Sequence, residues 1–537
     1  MVKLFSCSIC IVFVISMACG PAFSATLQTA DTQIIRHNVG TAVNQLDPAL
    51  STTLPEMNVQ LQAFEGLTRV AADGTVGTGA AKAWEISDNG TRYIFRLRTA
   101  AKWSNGDPVT AYDFEYAWRR LLDPATGAYY AYRGYVIKNA EAYHTGRVTD
   151  ANLLGIKALD QWTLEVELEA PHAGFLTLVA YPPFFPVHQG IVEKHGAGWA
   201  VDPATYVGNG PYRLNSWLPN RQLELEKNPY YWDVANVQPD KLLFTLADSD
   251  ATALTMWEKG QIDSTHTVPA SDIQRLQQEG KLSMVSDLGV YYYVFNTQIE
   301  PFADPRVRKA LTMAIDRQFL VEHVTQGGQV PAYAFVPYGI PDINNNTDFR
   351  EVGGNYFVED IAVAQALLAE AGYPDGAGFP PLTIMYSSSE NHQQIAWAIA
   401  ELWRQNLGIE VALVEQEWED FLRSLKQGNY QIARIGWASD CLDAYSFLKL
   451  WLTNGESNYA FWSHKEYDRL LELGDATDET AARMEALHGA ERILLQEMPV
   501  MPIYFLTRPY LQTDDIHGVA RSPLGYVDFK NAWRAVK

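Results

Sequence analysis

The sequence predicts a mixed α/β protein, and three observations carry that expectation. Between Pro381 and Asp440, strand-like and helix-like runs alternate as β-α-β-α-β. Elsewhere, short segments such as "TLEVELE" alternate apolar and charged residues strictly. Between them lie amphipathic runs that end at glycine or proline.

Taken in order, "RYIFRLR", "TLEVELE" and "RQLELEK" read as strands. In the second, Leu164, Val166 and Leu168 stand opposite Glu165, Glu167 and Glu169, the pattern of a half-exposed antiparallel strand. "DPRVRKALTMAIDR" puts Val307, Leu311 and Ile315 on one helical face, and "DIAVAQALLAEAGYPDG" stops at Gly372 and Pro374. Then "PLTIMY" is a strand, "HQQIAWAIAELWRQNLG" a helix closed by Gly408, and "IEVALV" a strand. "DFLRSLKQGN" is a second helix and "YQIARIGW" a third strand. Such an order implies parallel neighbouring strands and right-handed crossovers. Ligands in open sheets of this kind bind outside the carboxyl ends of the strands. His392 follows the first strand, Trp418 the second, and Trp437 with Asp440 the third, so three chemically capable positions fall on one edge.

The chain has 537 residues, enough for two or three domains. Its net charge of −22 speaks against a nucleic-acid partner, because phosphate binding needs a basic face. Lys3, the apolar run "LFSCSICIVFVISMAC" and the small residues of "AFSA" read as a signal peptide cleaved between Ser24 and Ala25. Lipid attachment at Cys19 is disfavoured, since Ser16 stands where a lipoprotein signal carries a branched apolar residue. Cleavage removes Cys7, Cys10 and Cys19 and leaves Cys441 alone, so no intramolecular disulfide is expected.

Enzyme motifs are absent: no H-E-x-x-H, no G-x-S-x-G, no phosphate-cradling loop and no G-x-G-x-x-G after a strand. The eleven histidines are scattered without metal-ligand spacing, so neither a metal nor a cofactor is expected. "HKEYD", His464 to Asp468, reads as the solvated start of a helix.

From "WSNGDPVTAYDFEYAWRRLLDP", Trp103 to Pro124, the sequence resembles the extracytoplasmic solute-binding proteins of ABC importers, the peptide-binding branch above all. The match continues through "LQAFEGL", "GNGPYRLNSW", "NPYYW", "PFADPRVRKALTMAIDR", "LLAEAGYP" and "QEWEDFL". The resemblance implies a periplasmic binding protein type II-like fold: two lobes around a cleft, joined by a hinge, with a further domain inserted in the N-terminal half. The implied division is 1–24 signal peptide, 25–64 lobe I, 65–187 inserted domain, 188–288 lobe I, 289–508 lobe II and 509–537 lobe I.

The same resemblance implies a monomeric, periplasmic, non-enzymatic protein that takes oligopeptides or murein peptides to a permease in the inner membrane. Dipeptides, metal chelates, haem or glycans are the alternative ligands. In the family's G-W-x-x-D segment, here Gly436, Trp437 and Asp440, the aspartate pairs with the peptide's α-ammonium. By the same implication Arg434 matches the segment's arginine, Trp418 a side-chain pocket wall, and His392 a residue reached by longer peptides or their carboxylate. Tyr130, Tyr292 and Leu54 match positions near the bound peptide. An arginine inside a strand needs a partner, either a structural ion pair or a ligand. Two departures stand out. Leu425 stands where some members carry a pocket arginine, and Gly289 and Ala438 replace a cysteine pair found in some members.

Overall fold

The computed structural model describes residues 33–40, 42–71, 75–87, 90–172, 174–247, 249–343, 347–439, 441–477 and 479–535. The signal segment 1–24 and Asp440 lie outside the described residues.

Two four-stranded sheets share one apolar core in the N-terminal half. One sheet sets Ile34–Gly40 parallel to Lys241–Leu246 and continues antiparallel through Gln222–Lys227 and Tyr212–Leu218. The other is antiparallel, in the order Ala81–Ile86, Arg92–Leu97, Thr163–Glu167 and Ile156–Asp160. The alternation of "TLEVELE" holds: Leu164, Val166 and Leu168 are buried, while the three glutamates are not. Helix Ala111–Leu122 covers this sheet with Phe114, Ala117, Trp118, Leu121 and Leu122, all buried at helical spacing. Its first turn is held by a capping box between Thr110 and Asp113. The chain's C-terminal stretch returns to the first sheet, where the Arg534 amide donates to Gln33 Oε1 at 2.6 Å. The Arg534 guanidinium pairs with Asp263 at 2.6 Å and Asp515 at 2.7 Å.

The C-terminal half is built on a six-stranded mixed sheet. In chain order its main elements are β1 (Leu282–Phe295), β2 (Leu382–Ser387), α1 (Glu390–Leu407), β3 (Val411–Gln416), α2 (Trp418–Gln427), β4 (Ile432–Ala438) and β5 (Val500–Leu511). Across the sheet, Val330–Pro331, β5, β1, β4, β2 and β3 lie side by side. The expected β-α-β-α-β unit is present, with β2 parallel to both β3 and β4. Both its helices end at glycines in the left-handed region, Gly408 and Gly428, each at φ 69°. Strand alternation splits the core of this half in two. Tyr291, Tyr293 and Phe295 of β1 join Ile395, Ile399 and Trp403 of α1 on one face. Val290, Tyr292 and Val294 join Phe447, Trp451 and Leu487 on the other.

β1 and β5 are long because they also run toward the N-terminal half. Their antiparallel ladder begins at Leu282–Leu511 and is interrupted between Ser286 and Val290. There the Leu288 amide donates to the Pro523 carbonyl at 3.3 Å, and its carbonyl accepts from Ser439 at 2.8 Å.

Deep in the C-terminal half, Arg350 and Glu491 form an ion pair at 2.6 Å, their side chains 1% and 0% exposed. Glu491 Oε1 also accepts the amides of Phe335 and Val336, at 2.9 and 2.8 Å. A buried pair is costly to break, because the surviving charge is stranded. Glu491→Ala is therefore expected to lower stability by about 3–5 kcal/mol, read from urea denaturation. A loss under about 1 kcal/mol would show that the pair is dispensable.

Candidate functional site

The parallel pairing of β2, β3 and β4 sets their carboxyl ends on one edge. His392 lies in the first turn of α1 and Trp418 opens α2, two residues earlier than the sequence reading began that helix. Ser439 and the segment to Asp443 follow β4. The edge grouping expected from sequence is thus present for His392, Trp418 and Trp437, and Asp440 lies outside the described residues.

β4 is paired unequally. From Ala438 to Ile432 it meets β1 from Gly289 to Phe295, but its parallel ladder with β2 includes only Ile432 and Ala433. Residues Arg434 to Ala438 therefore have a strand on one side and, among the described residues, none on the other. Such an edge offers backbone donors and acceptors to an added strand.

Arg434 stands opposite Tyr293 in the β1–β4 ladder and diagonal to Tyr291, so both project from one face. Its guanidinium lies 4.3 Å over the Tyr291 ring. Gly436, directly opposite Tyr291, brings no side chain into that space; a Cβ there would sit 3.6 Å from Arg434 Nη2. Tyr504 stacks on Tyr291 with centroids 4.7 Å apart, and the Tyr291 hydroxyl meets His392 Nδ1 at 3.2 Å. No carboxylate among the described residues pairs with Arg434, and its buried Nε has no hydrogen-bond partner. The structural ion pair allowed by the sequence reading is absent among these residues. A guanidinium over an aromatic ring, short of a counter-ion, is a receptor for a carboxylate. Burial and the nearby Arg434 charge lower the His392 pKa to about 4, so the imidazole is neutral near pH 7.

The other sequence-derived residues are dispersed around this pole. Trp437 alternates to the opposite face, half-buried, with its indole N–H unpaired. Trp418 is 55% exposed and stacks on Phe421. One expectation needs correction. Tyr292 is 3% exposed and packs against Phe335 and Trp451 in the core; the tyrosine turned toward Arg434 is Tyr291. In a strand a shift of one residue exchanges the faces. Leu425, which stands where some members of the family carry a pocket arginine, is fully buried in the core. Gly289 and Ala438 are direct cross-strand partners, the position a bridging cysteine pair would occupy. His464 is a helix cap, accepting the amide of Tyr467 at 3.2 Å.

Leu54 and Tyr130 belong to the facing N-terminal half, beside Met57, Tyr181 and Tyr526. The Tyr130 hydroxyl donates to the Thr52 carbonyl at 3.3 Å, and the Arg133 guanidinium lies 4.4 Å over its ring. A cavity of about 390 Å3 separates the two halves, with Arg133 and Tyr181 on one wall and Cys441, Asp443 and Tyr445 on the other. Among the described residues there is no cluster of three metal-ligating side chains and no helix long and apolar enough to cross a membrane. Sequence reasoning missed Tyr291, Tyr504 and Tyr181; for Tyr291 the run "YYY" itself offers no alternation, and pairing with β4 sets the face.

The family model of bacterial extracellular solute-binding proteins, family 5 (middle), matches residues 75–459. The chain is 36% identical over 468 residues to the dipeptide-binding protein DppE of Bacillus subtilis (strain 168), with 87% of this chain and 86% of the relative covered. To the periplasmic murein peptide-binding protein MppA of Escherichia coli (strain K12) it is 36% identical over 490 residues, covering 90% and 89%. To the periplasmic oligopeptide-binding protein OppA of Salmonella typhimurium it is 35% identical over 522 residues, covering 95% and 94%. Among solved structures, the unliganded open form of MppA matches with a TM-score of 0.87 at 33% identity, covering 95% and 98%. Haemophilus influenzae OppA in complex with RPPGFSPFR matches with 0.63 at 32% identity, covering 95% and 100%. Identity and coverage are nearly equal in the two comparisons, and the TM-score is higher for the unliganded open form.

The His392 environment yields a pH prediction. Unfolded, its imidazole takes up a proton near 6.5; folded, only near pH 4. Between these values the unfolded chain holds more protons, so this group erodes stability as pH falls below about 6.5. In Arg434→Met, loss of the neighbouring cation should move the His392 titration upward, as followed by imidazole NMR. An unchanged midpoint would leave burial as the sole cause.

Proposed function

The chain belongs to the family 5 bacterial extracellular solute-binding proteins, and from that premise we propose that it binds oligopeptides outside the cytoplasm and delivers them to an ABC importer. It acts by binding and carries out no reaction. The observation that carries the reading is the open edge of β4. An extended peptide laid along Arg434 to Ala438 makes main-chain hydrogen bonds that ignore side-chain identity.

The two ends of that edge suit the two ends of a peptide. Arg434 and His392 supply hydrogen-bond donors and one unmatched charge for the carboxylate, while Asp440 takes the ammonium. Asp440 comes six positions after Arg434, at most about 20 Å at ~3.3 Å per residue. That is the reach of an extended peptide of about six residues. Trp418 and Trp437 form apolar walls on the second lobe, and Leu54 and Tyr130 meet the ligand from the first when the cleft closes. Murein peptides fit the same description of an amine-bearing, extended ligand.

We assign residues 25–64, 188–288 and 509–537 to the first lobe, 65–187 to the inserted domain and 289–508 to the second lobe; the three main sheets support this division. The protein is exported with cleavage between Ser24 and Ala25, acts as a monomer in the periplasm, and meets its permease at the inner membrane.

Asp440→Asn tests the ammonium contact, because it keeps the side chain's shape and removes its charge. Free peptides should lose about 2–5 kcal/mol of binding. N-acetylated peptides, which bring no ammonium, should lose much less. The coupling is read from a double-mutant cycle by calorimetry. Equal affinity of wild type and mutant for free peptides would remove Asp440 from the site.

A further inference from the structure

A further cavity, of about 480 Å3, opens at the end of the C-terminal half away from the cleft. Gln298, just past β1, and Lys426, in the last turn of α2, both line it. Phe295 ends β1 and pairs with Ile432, the first residue of β4, so this wall stands opposite the carboxyl ends of β2, β3 and β4. The rest of the wall is the loop from Thr453 to Ser463.

Two polar side chains of that loop are unsatisfied. Asn458 is 6% exposed, and its Nδ2 donates to the carbonyls of Trp451, Leu452 and Trp462 at 3.3, 3.0 and 2.7 Å. Carbonyls accept only from the NH2 end, so these three bonds fix which way the carboxamide faces. Its Oδ1 is buried and accepts no hydrogen bond among the described residues, and the buried Thr453 hydroxyl is likewise unpaired. Buried polar atoms of this kind call for a partner. The loop is also strained. Phe461 holds φ at 54°, in the left-handed region that bulky residues avoid, and its ring sits where a Cβ on Gly428 would meet it at 3.0 Å. Strain of this sort gathers at ligand sites. At the rim, Lys426 and Glu456 are exposed and of opposite sign.

We propose that this cavity binds a neutral saccharide, recognised by Asn458 and Thr453, at a site separate from the peptide cleft. Each sugar hydroxyl both donates and accepts, so neighbouring hydroxyls donate to Asn458 Oδ1 and accept from Thr453. The apolar C–H face of a pyranose ring lies against Tyr459 and Phe461, both half-buried on the cavity wall. Outer hydroxyls accept from Lys426 and donate to Glu456. A charged ligand meets a rim charge of its own sign beside the opposite one. An apolar ligand seals in Asn458 Oδ1 and the Thr453 hydroxyl without partners, which is costly.

The test is titration of wild type, Thr453→Val and Glu456→Ala with the methyl glycosides of glucose, galactose and N-acetylglucosamine, followed by ligand-observed NMR. Valine keeps the shape of threonine, and the hydroxyl it removes makes no bond among the described residues. Glu456 is exposed, so its removal leaves the fold intact. At least one glycoside is expected to bind wild type with a Kd below about 10 mM, and both variants to bind it at least threefold more weakly. No binding of any of the three by wild type in that range, or a loss under threefold in either variant, overturns the saccharide site. Either result leaves the peptide reading untouched, because the cleft lies at the other end of the sheet.

Discussion

The backbone of Leu288 is the junction on which the arrangement of the cleft depends. It sits where the β1–β5 ladder is interrupted, and Leu288 is 2% exposed, so water cannot satisfy the groups released. Buried amides and carbonyls must find partners. Leu288 finds one in each half, donating to Pro523 of the C-terminal return and accepting from Ser439 at the end of β4. An interruption of this kind re-aims a strand and ends its pairing. Here it fixes where β4 stops, and so where the segment containing Asp440 begins.

The pole at Arg434 follows from the same ladder. Register with β1 puts Tyr291 diagonal to Arg434 and Gly436 directly across, so the ring is bare for the guanidinium to settle on. The cation–π contact, worth about 0.5–2 kcal/mol, holds the charge in place without neutralising it. Burial, with that charge beside it, keeps His392 unprotonated. The region is thus organised before any ligand arrives, and pre-organisation reduces what binding must spend on ordering.

Much of this was legible in the residues. The β-α-β-α-β unit announced itself because long amphipathic helices and their closing glycines leave strong periodic signals, and parallel order then fixes which ends share an edge. Position within "YYY" was not legible, since three aromatic residues in a row carry no alternation and only pairing with β4 decides which face each takes. The burial of Leu425 was legible from spacing. Phe421 and Leu425, four apart on α2, are both fully buried, while Trp418, one turn before, emerges at the helix start. Tyr181 and Tyr504 come to the cleft from segments distant in sequence, which no local pattern reveals. Asp440 rests on its place in the sequence.

Cys441 has a consequence outside binding itself. It is half-buried on the cavity wall, forms no disulfide, and follows three cysteines that all precede residue 25. A chain shortened by its leader therefore carries one thiol, placed where the walls converge. A thiol-directed fluorophore would have a single address there, and its emission would follow the opening and closing of the cleft. The protein supplies its own attachment point for an optical sensor, with no cysteine to add or remove.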